Sequence, residues 1–306
     1  MTTHLSPSHP LGKELPLRAA LFTIFLCILF GGNAVAIKIS LSGLGVFTTI
    51  FLRFSIASLV LLLWAVWRGV PIMVSTRQFL QLSLISLIFF LQMSGIYLGQ
   101  NLTTASHGVL IANLLPFIVM LLGHKFLLNE RIEAKSVIGL SLGFIGVLLL
   151  FLDTINVADS ALLGDFLIFM AIVLWGCNVI LIKRIIADYH PVQITLFPMT
   201  LSAPLFLLAA LLFDDKMVSD LSVPVIQALL YQALITASFG FIMWNTLIQK
   251  YGATALHSFI FVVPLSGVSL GIFLLNEPVT PNLIASIFLV TAALVVVNIR
   301  SRKQLR

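Results

Sequence analysis

Charge is what this sequence is shortest of. Asp, Glu, Lys and Arg make up only 9% of its 306 residues, against about 25% in soluble globular chains. With 60% of the residues hydrophobic, there is too little polar side chain to cover a soluble fold. Cysteine is nearly absent. Cys27 and Cys177 both lie inside apolar runs, which excludes a disulfide scaffold and makes both small packing residues. No His-rich cluster and no paired carboxylates stand at membrane depth, which argues against an intramembrane enzyme. The Gly-rich loop that holds a nucleotide phosphate, ending in Gly-Lys-Ser/Thr, is missing too, and this excludes ATP-driven transport by this chain alone. No cofactor and no metal site is expected. The net charge of +6 does not point to nucleic acid here, because where the charges fall matters more than their sum.

What is present is a series of long apolar runs. A membrane span needs about 20 mostly apolar residues, and ten candidates follow one another: 17–38, 47–67, 79–99, 106–123, 136–152, 164–182, 192–213, 225–248, 253–275 and 283–299. They must be helices, because coil or an open sheet leaves backbone groups unbonded in lipid. An outer-membrane barrel is excluded, since its strands alternate apolar and polar residues. The expectation is an all-α integral membrane protein with the lipid bilayer as its solvent.

Basic residues test the count. With the N-terminus inside, only Lys38 and Lys216 fall outside and Arg53 falls within a span. Every other one of the 17 Lys and Arg residues lies inside. One miscounted span would scramble that alternation, so both termini are predicted to be cytoplasmic. The organisation is then a cytoplasmic tail 1–16, a five-helix unit 17–152, a periplasmic linker 153–163, a second five-helix unit 164–299 and a basic tail 300–306. No cleavable signal peptide is evident at the polar, Pro-rich start.

The two units repeat each other. Phe30-Gly31-Gly32-Asn33 with Lys38 is echoed 145 residues later by Trp175-Gly176-Cys177-Asn178 with Lys183. Phe126-Leu127-Leu128-Asn129-Glu130 recurs unchanged as Phe273-Leu274-Leu275-Asn276-Glu277, and Pro116 is echoed by Pro264. Four matches in order at nearly constant offset indicate duplication. Five spans is an odd number, so the second unit enters the membrane from the opposite side and the repeats are inverted. That arrangement suits alternating access around a central cavity.

The Gly-X-Asn segment opening each half, the Arg53-Phe54 pair and the Pro…Asn-Glu pattern resemble the drug/metabolite transporter superfamily, EamA-like branch, over nearly the whole chain. The resemblance implies export or exchange of small metabolites, amino acids among them, across a bacterial inner membrane. It places spans one, three, four, six, eight and nine around the cavity and makes five and ten scaffold. Phe30 departs from a Trp frequent in the family, and Pro198 stands where symmetry with Arg53 predicts a cation.

The candidate cargo-binding residues come from position and spacing. Ser83, Ser86, Ser94, Tyr97 and Asn101 form one face of the third span, and Gln227, Tyr231, Ser238, Asn245 and Gln249 one face of the eighth at a regular helical period. Polar stripes avoid lipid, so both are expected to face a cavity, with Trp244 as a stacking wall or ordinary core. Asn33 and Asn178 differ in depth by roughly 15 Å. They either flank a cargo or lock helices together. Arg53, roughly 10 Å below the outer surface, either snorkels outward or attracts a cargo carboxylate. His107 and His257 either titrate within the membrane or are hydrogen-bonded interface histidines. Pro116 and Pro264 are expected to kink their spans and free the carbonyls of Ala112 and Ile260. All 11 acidic residues are assigned to tails, loops or span ends, with Glu130 and Glu277 as helix caps or loop anchors and gating as the lesser alternative. That leaves no carboxylate for a proton relay, although coupling to a proton or counter-substrate stays open. A channel-like facilitator, an intramembrane enzyme and a scaffold are the alternatives to a secondary transporter. Short loops weigh against the last.

Overall fold

The structure is a computed structural model and describes residues 16–126, 134–155, 159–251, 256 and 259–298. Its helices are α1 (Leu17–Leu41), α2 (Val46–Trp67), α3 (Thr76–Leu102), α4 (Ala105–Ala112), α5 (Leu115–Phe126), α6 (Ala134–Ile155), α7 (Asp159–Ile185), α8 (Pro191–Phe213), α9 (Val223–Leu230), a π-helical segment (Tyr231–Gly240), α10 (Phe241–Tyr251), α11 (Val262–Leu275) and α12 (Pro281–Asn298). Among the described residues seven segments are long and apolar enough to cross a membrane, beside three shorter apolar helices, Val137–Leu152, Val262–Leu275 and Pro281–Val297. The expected linker 153–163 is largely helix, because α6 runs to Ile155 and α7 starts at Asp159.

The molecule is built inside out relative to a soluble protein. On α3 the exposed residues Leu80, Leu84, Leu87 and Leu91 recur every three or four positions, the spacing of one helix face, while Gln92, Ser94 and Tyr97 are buried. An exposed stripe of leucine is a liability in water and the natural contact with acyl chains.

Hydrogen bonds between helix ends define the two ends of the bundle. At the near end, where α1 begins, Gln78 Nε2 donates to the Asp188 carbonyl at 2.8 Å and Arg184 to that of Phe126 at 2.7 Å. At the far end, Asp214 accepts from the backbone of Phe47 and Thr48, and Thr103 donates to Asp165. Successive long helices therefore run antiparallel.

Which helices touch follows one rule. α1 packs on α9, the π segment and α11, while α7 packs on α3, α4 and α5. α3 meets α8 as α2 meets the π segment, and α2–α8, α4–α11 and α6–α12 are self-paired. Exchanging the two halves maps this set of contacts onto itself, the signature of an isologous two-fold arrangement. The glycines of the duplicated motif make it possible. A Cβ at Gly31 would sit 2.7 Å from the Val263 carbonyl on α11, and one at Gly176 would collide with Ile118 on α5. One apolar core joins α4, α5, α6, α7, α11 and α12, and a second lies between α2, α3 and α8.

Candidate functional site

A connected polar cluster is buried where α1, α2, α3 and the π segment meet. Arg53 on α2 is only 9% exposed. One terminal nitrogen donates to the Tyr97 hydroxyl at 2.7 Å and the other to Thr236 Oγ1 at 3.4 Å. Tyr97 donates onward to Gln232 Oε1 at 2.6 Å, and Gln232 Nε2 donates to Ser40 Oγ at 2.7 Å and the Ala36 carbonyl at 3.1 Å. Thr236 donates to Asn33 Oδ1 at 3.0 Å. The guanidinium also lies 5.1 Å from the centre of the Phe54 ring, within cation–π range. Its Nε–H finds no acceptor among the described residues. Among these residues the one contact within 4 Å between a carboxylate and a basic side chain is Asp165 with His107, so the guanidinium is surrounded by neutral partners.

Arg53, Tyr97 and Asn33 thus come together, and Arg53 does not snorkel. Gln232 and Thr236, which complete the cluster, escape the sequence reading for a physical reason. The eighth-span stripe assumes an α-helical period throughout. Between Tyr231 and Gly240 the helix is π, where hydrogen bonds reach five residues back; Ser238 Oγ likewise donates to the Ala233 carbonyl at 2.8 Å. Each turn takes up more residues, and the predicted face rotates away. Gln227 is exposed, Tyr231 is half-buried and donates to the Leu29 carbonyl at 2.6 Å, and Gln232 and Thr236 face inward. The side chains of Asn245 and Gln249 lie outside the described residues. Trp244 meets Phe30 edge to face at 5.8 Å.

The third-span stripe is also redirected. Ser83, Ser86 and Ser94 donate to carbonyls four residues back in their own helix, and Ser86 also packs on α8, where Ser202 donates to its carbonyl at 2.9 Å. Asn101 is exposed at the end of α3, and its carbonyl accepts from Lys38 at 3.4 Å. Asn178 donates to Gln92 on α3 at 3.2 Å. Each motif asparagine therefore ties the first helix of its half to the other half, Asn33 to the π segment and Asn178 to α3.

The two prolines behave differently from each other. Span four is broken outright: α4 stops at Ala112, Asn113 Nδ2 donates to the Val109 carbonyl at 2.7 Å, and Pro116 is the second residue of a new helix. The Ile260 carbonyl accepts the Val263 N–H at 3.0 Å, so Pro264 does not leave it free.

Asp165 stands at a span end, as the sequence indicates, but the expectation that no carboxylate is buried is corrected. Asp165 is fully buried at the far end, where it accepts from Thr103 Oγ1 at 2.6 Å and lies 2.9 Å from His107 Nδ1. A close crossing puts it there, since a Cβ at Gly164 would lie 2.8 Å from the Gly99 carbonyl. Beside it, Glu277 accepts from the backbone N–H groups of Ala105 and Ser106 and from Ser106 Oγ. Thr104 Oγ1 accepts from His107 N at 3.1 Å, so the first turn of α4 is capped from both halves. Asn276, with φ 53°, adopts the left-handed conformation that ends α11 and turns Glu277 toward α4. Glu130 and His257 lie outside the described residues.

Two recesses flank the polar cluster. One of about 630 Å³ opens at the far end between Leu41, Phe47, Asn101, Asp214 and Lys216. One of about 620 Å³ opens at the near end between Trp64, Arg68, His190, Thr195 and Thr246. They lie at opposite ends of α2, with Arg53 between. Gly-X-Ser-X-Gly spacing, the mark of a hydrolase nucleophile, stands at Gly139–Gly143 and Gly267–Gly271, but inside α6 and α11. Ser141 and Ser269 point outward while the glycines make close crossings. A nucleophile elbow needs a strand-to-helix turn. Among the described residues no three His, Cys, Asp or Glu side chains converge.

Comparison with known proteins gives concordant results. Residues 17–152 and 162–299 each match the EamA-like transporter family. Over 256 residues the chain is 30% identical to the uncharacterized transporter YetK of Bacillus subtilis, covering 81% of this chain and 77% of that protein. Over 265 residues it is 26% identical to a protein of Escherichia coli K12 named a probable amino-acid metabolite efflux pump, covering 84% and 87%. A crystal structure superposes with a TM-score of 0.68 over 94% of this chain and 99% of that one, at 19% identity, a likeness of fold.

Proposed function

Because the chain belongs to the EamA-like transporter family, and is therefore a multi-pass membrane transporter and not an enzyme, we propose that it exports or exchanges small amino-acid-like metabolites across a bacterial inner membrane. In this reading ten helices cross the bilayer, both termini are cytoplasmic, and two inverted halves alternate access around the Arg53 cluster. The basic-residue distribution supports the orientation, and the self-mapping helix contacts support the inversion.

The observation that carries the cargo class is Arg53. A guanidinium held out of water without a counter-ion is disfavoured by several kcal/mol, and a carboxylate supplies that counter-ion through charge-assisted, bidentate hydrogen bonds. Asn33 Oδ1, on the same cluster, offers an acceptor to an amine. In this reading the far and near recesses are the two approaches to the cluster. Reconstituted in liposomes, the wild type should exchange a radiolabelled neutral amino acid in counterflow and ignore the corresponding amine that lacks the carboxylate. Arg53→Lys should keep part of the exchange and Arg53→Gln lose it. Equal handling of acid and amine, or normal exchange by Arg53→Gln, overturns the assignment. Absence of trans-stimulation would favour a channel-like facilitator.

A further inference from the structure

The geometry at the far end points to a second site. We propose that His107 and Asp165 form a proton-binding pair whose protonation is coupled to cargo movement. This rests on the transport reading above but on different residues.

The pair joins the two halves: His107 sits in the first turn of α4, and Asp165 in the first turns of α7. The Asp165 side chain is 0% exposed and that of His107 is 10% exposed. An ionised carboxylate accepts hydrogen bonds and cannot donate. In the proposed pair an ionised Asp165, with Oδ1 taken by Thr103 and Oδ2 facing His107 Nδ1, requires the hydrogen on Nδ1 and leaves Nε2 as the proton acceptor. A proton therefore adds at Nε2, on the partly accessible ring, while the carboxylate stays sealed. Without that proton the pair holds a net negative charge; with it the pair is neutral.

The surrounding charges leave this difference in place. From α1, Lys38 is engaged by the Asn101 carbonyl. From beyond α11, Glu277 is engaged by the amide groups of α4. Tyr97 on α3 is committed to Arg53 and Gln232. His124 and Lys125 on α5 stand at the opposite end of the bundle, α12 carries no titratable residue, and the side chains of Asp153 and Asp159 lie outside the described residues. Because the pair joins α4 of one half to α7 of the other, movement of the halves against each other, as alternating access requires, parts this joint. That exposes a lone carboxylate and an imidazole in one state and a charged pair in the other, so the position of the joint and the presence of the proton become linked.

The test uses the full-length protein in liposomes loaded with a pH-sensitive dye. Counterflow is measured at equal pH on both sides, and proton movement is read from the dye when cargo is added. The wild type is expected to move protons with cargo. Asp165→Asn is expected to retain counterflow within about twofold and lose the dye signal at least tenfold, and His107→Gln to lose the same signal. Wild-type counterflow without proton movement overturns the proton site and leaves the transport reading intact, as does an unchanged dye signal in Asp165→Asn. Absence of wild-type counterflow for every cargo overturns the transport reading itself. If both variants fail to assemble, Thr103→Val, which removes the hydroxyl donor to Asp165 and keeps the side-chain volume, is expected to shift the pH dependence of the dye signal, and an unshifted profile overturns the site.

Discussion

Single side chains hold the centre of this protein, and their partners set what each substitution does. Tyr97 accepts from Arg53 and donates to Gln232 in the same hydroxyl. Tyr97→Phe removes both bonds while keeping the ring in the α2–α3–α8 core. Buried groups left unsatisfied cost about 1–3 kcal/mol, so cargo affinity should fall on the order of tenfold with the folded yield unchanged, as measured by binding and size-exclusion chromatography. Arg53, Tyr97 and Asn33 were legible in the sequence because a charge, a phenol and an amide stand out inside apolar runs. Gln232 and Thr236 were equally polar but lay off the face that a 3.6-residue period selects.

Among the elements, the π segment and α4 carry the most information. Deleting the lipid-facing Leu234 should return the helix toward an α register and turn Gln232 and Thr236 relative to α10. The expected outcome is loss of cargo exchange with helix content by circular dichroism nearly unchanged. At the first turn of α4, Glu277 fills backbone sites that have no helical partner. Glu277→Ala leaves those amides bare and removes a favourable charge at a helix N-terminus, a loss of about 1–2 kcal/mol that should lower the melting temperature in detergent. Glu277→Gln should lower it less. The duplicated Asn-Glu pair announced itself in the sequence, and its role as cap or anchor was readable from its place after a span. Its target was not, because the residues it grips lie about 170 positions away and are contacted at two main-chain amides and a single hydroxyl. Asp165 was misjudged for a related reason: a residue one position inside a span looks peripheral until a glycine crossing brings α3 over it.

At the scale of the whole molecule, the duplication fixed most of the architecture in advance, since offsets near 145 pair the helices before any coordinates exist. The two glycine crossings give a symmetric prediction. Gly31→Val drives a side chain into Val263 and Gly267 on α11, and Gly176→Val drives one into Ile118 and Leu122 on α5. Each should separate the halves and reduce the monodisperse yield by a similar factor, whereas Gly69→Ala, with nothing within 4 Å of the added atom, should cost only the strain of its left-handed backbone.

The grip of Glu277 on α4 reaches further than stability. Because the Ala105 contact is made to a peptide amide, that position can drift through many residue types without loosening it. Covariation between aligned relatives should therefore reveal no partner for Glu277 at position 105, however tightly the two are joined, and a fastening of this kind is visible only in three dimensions.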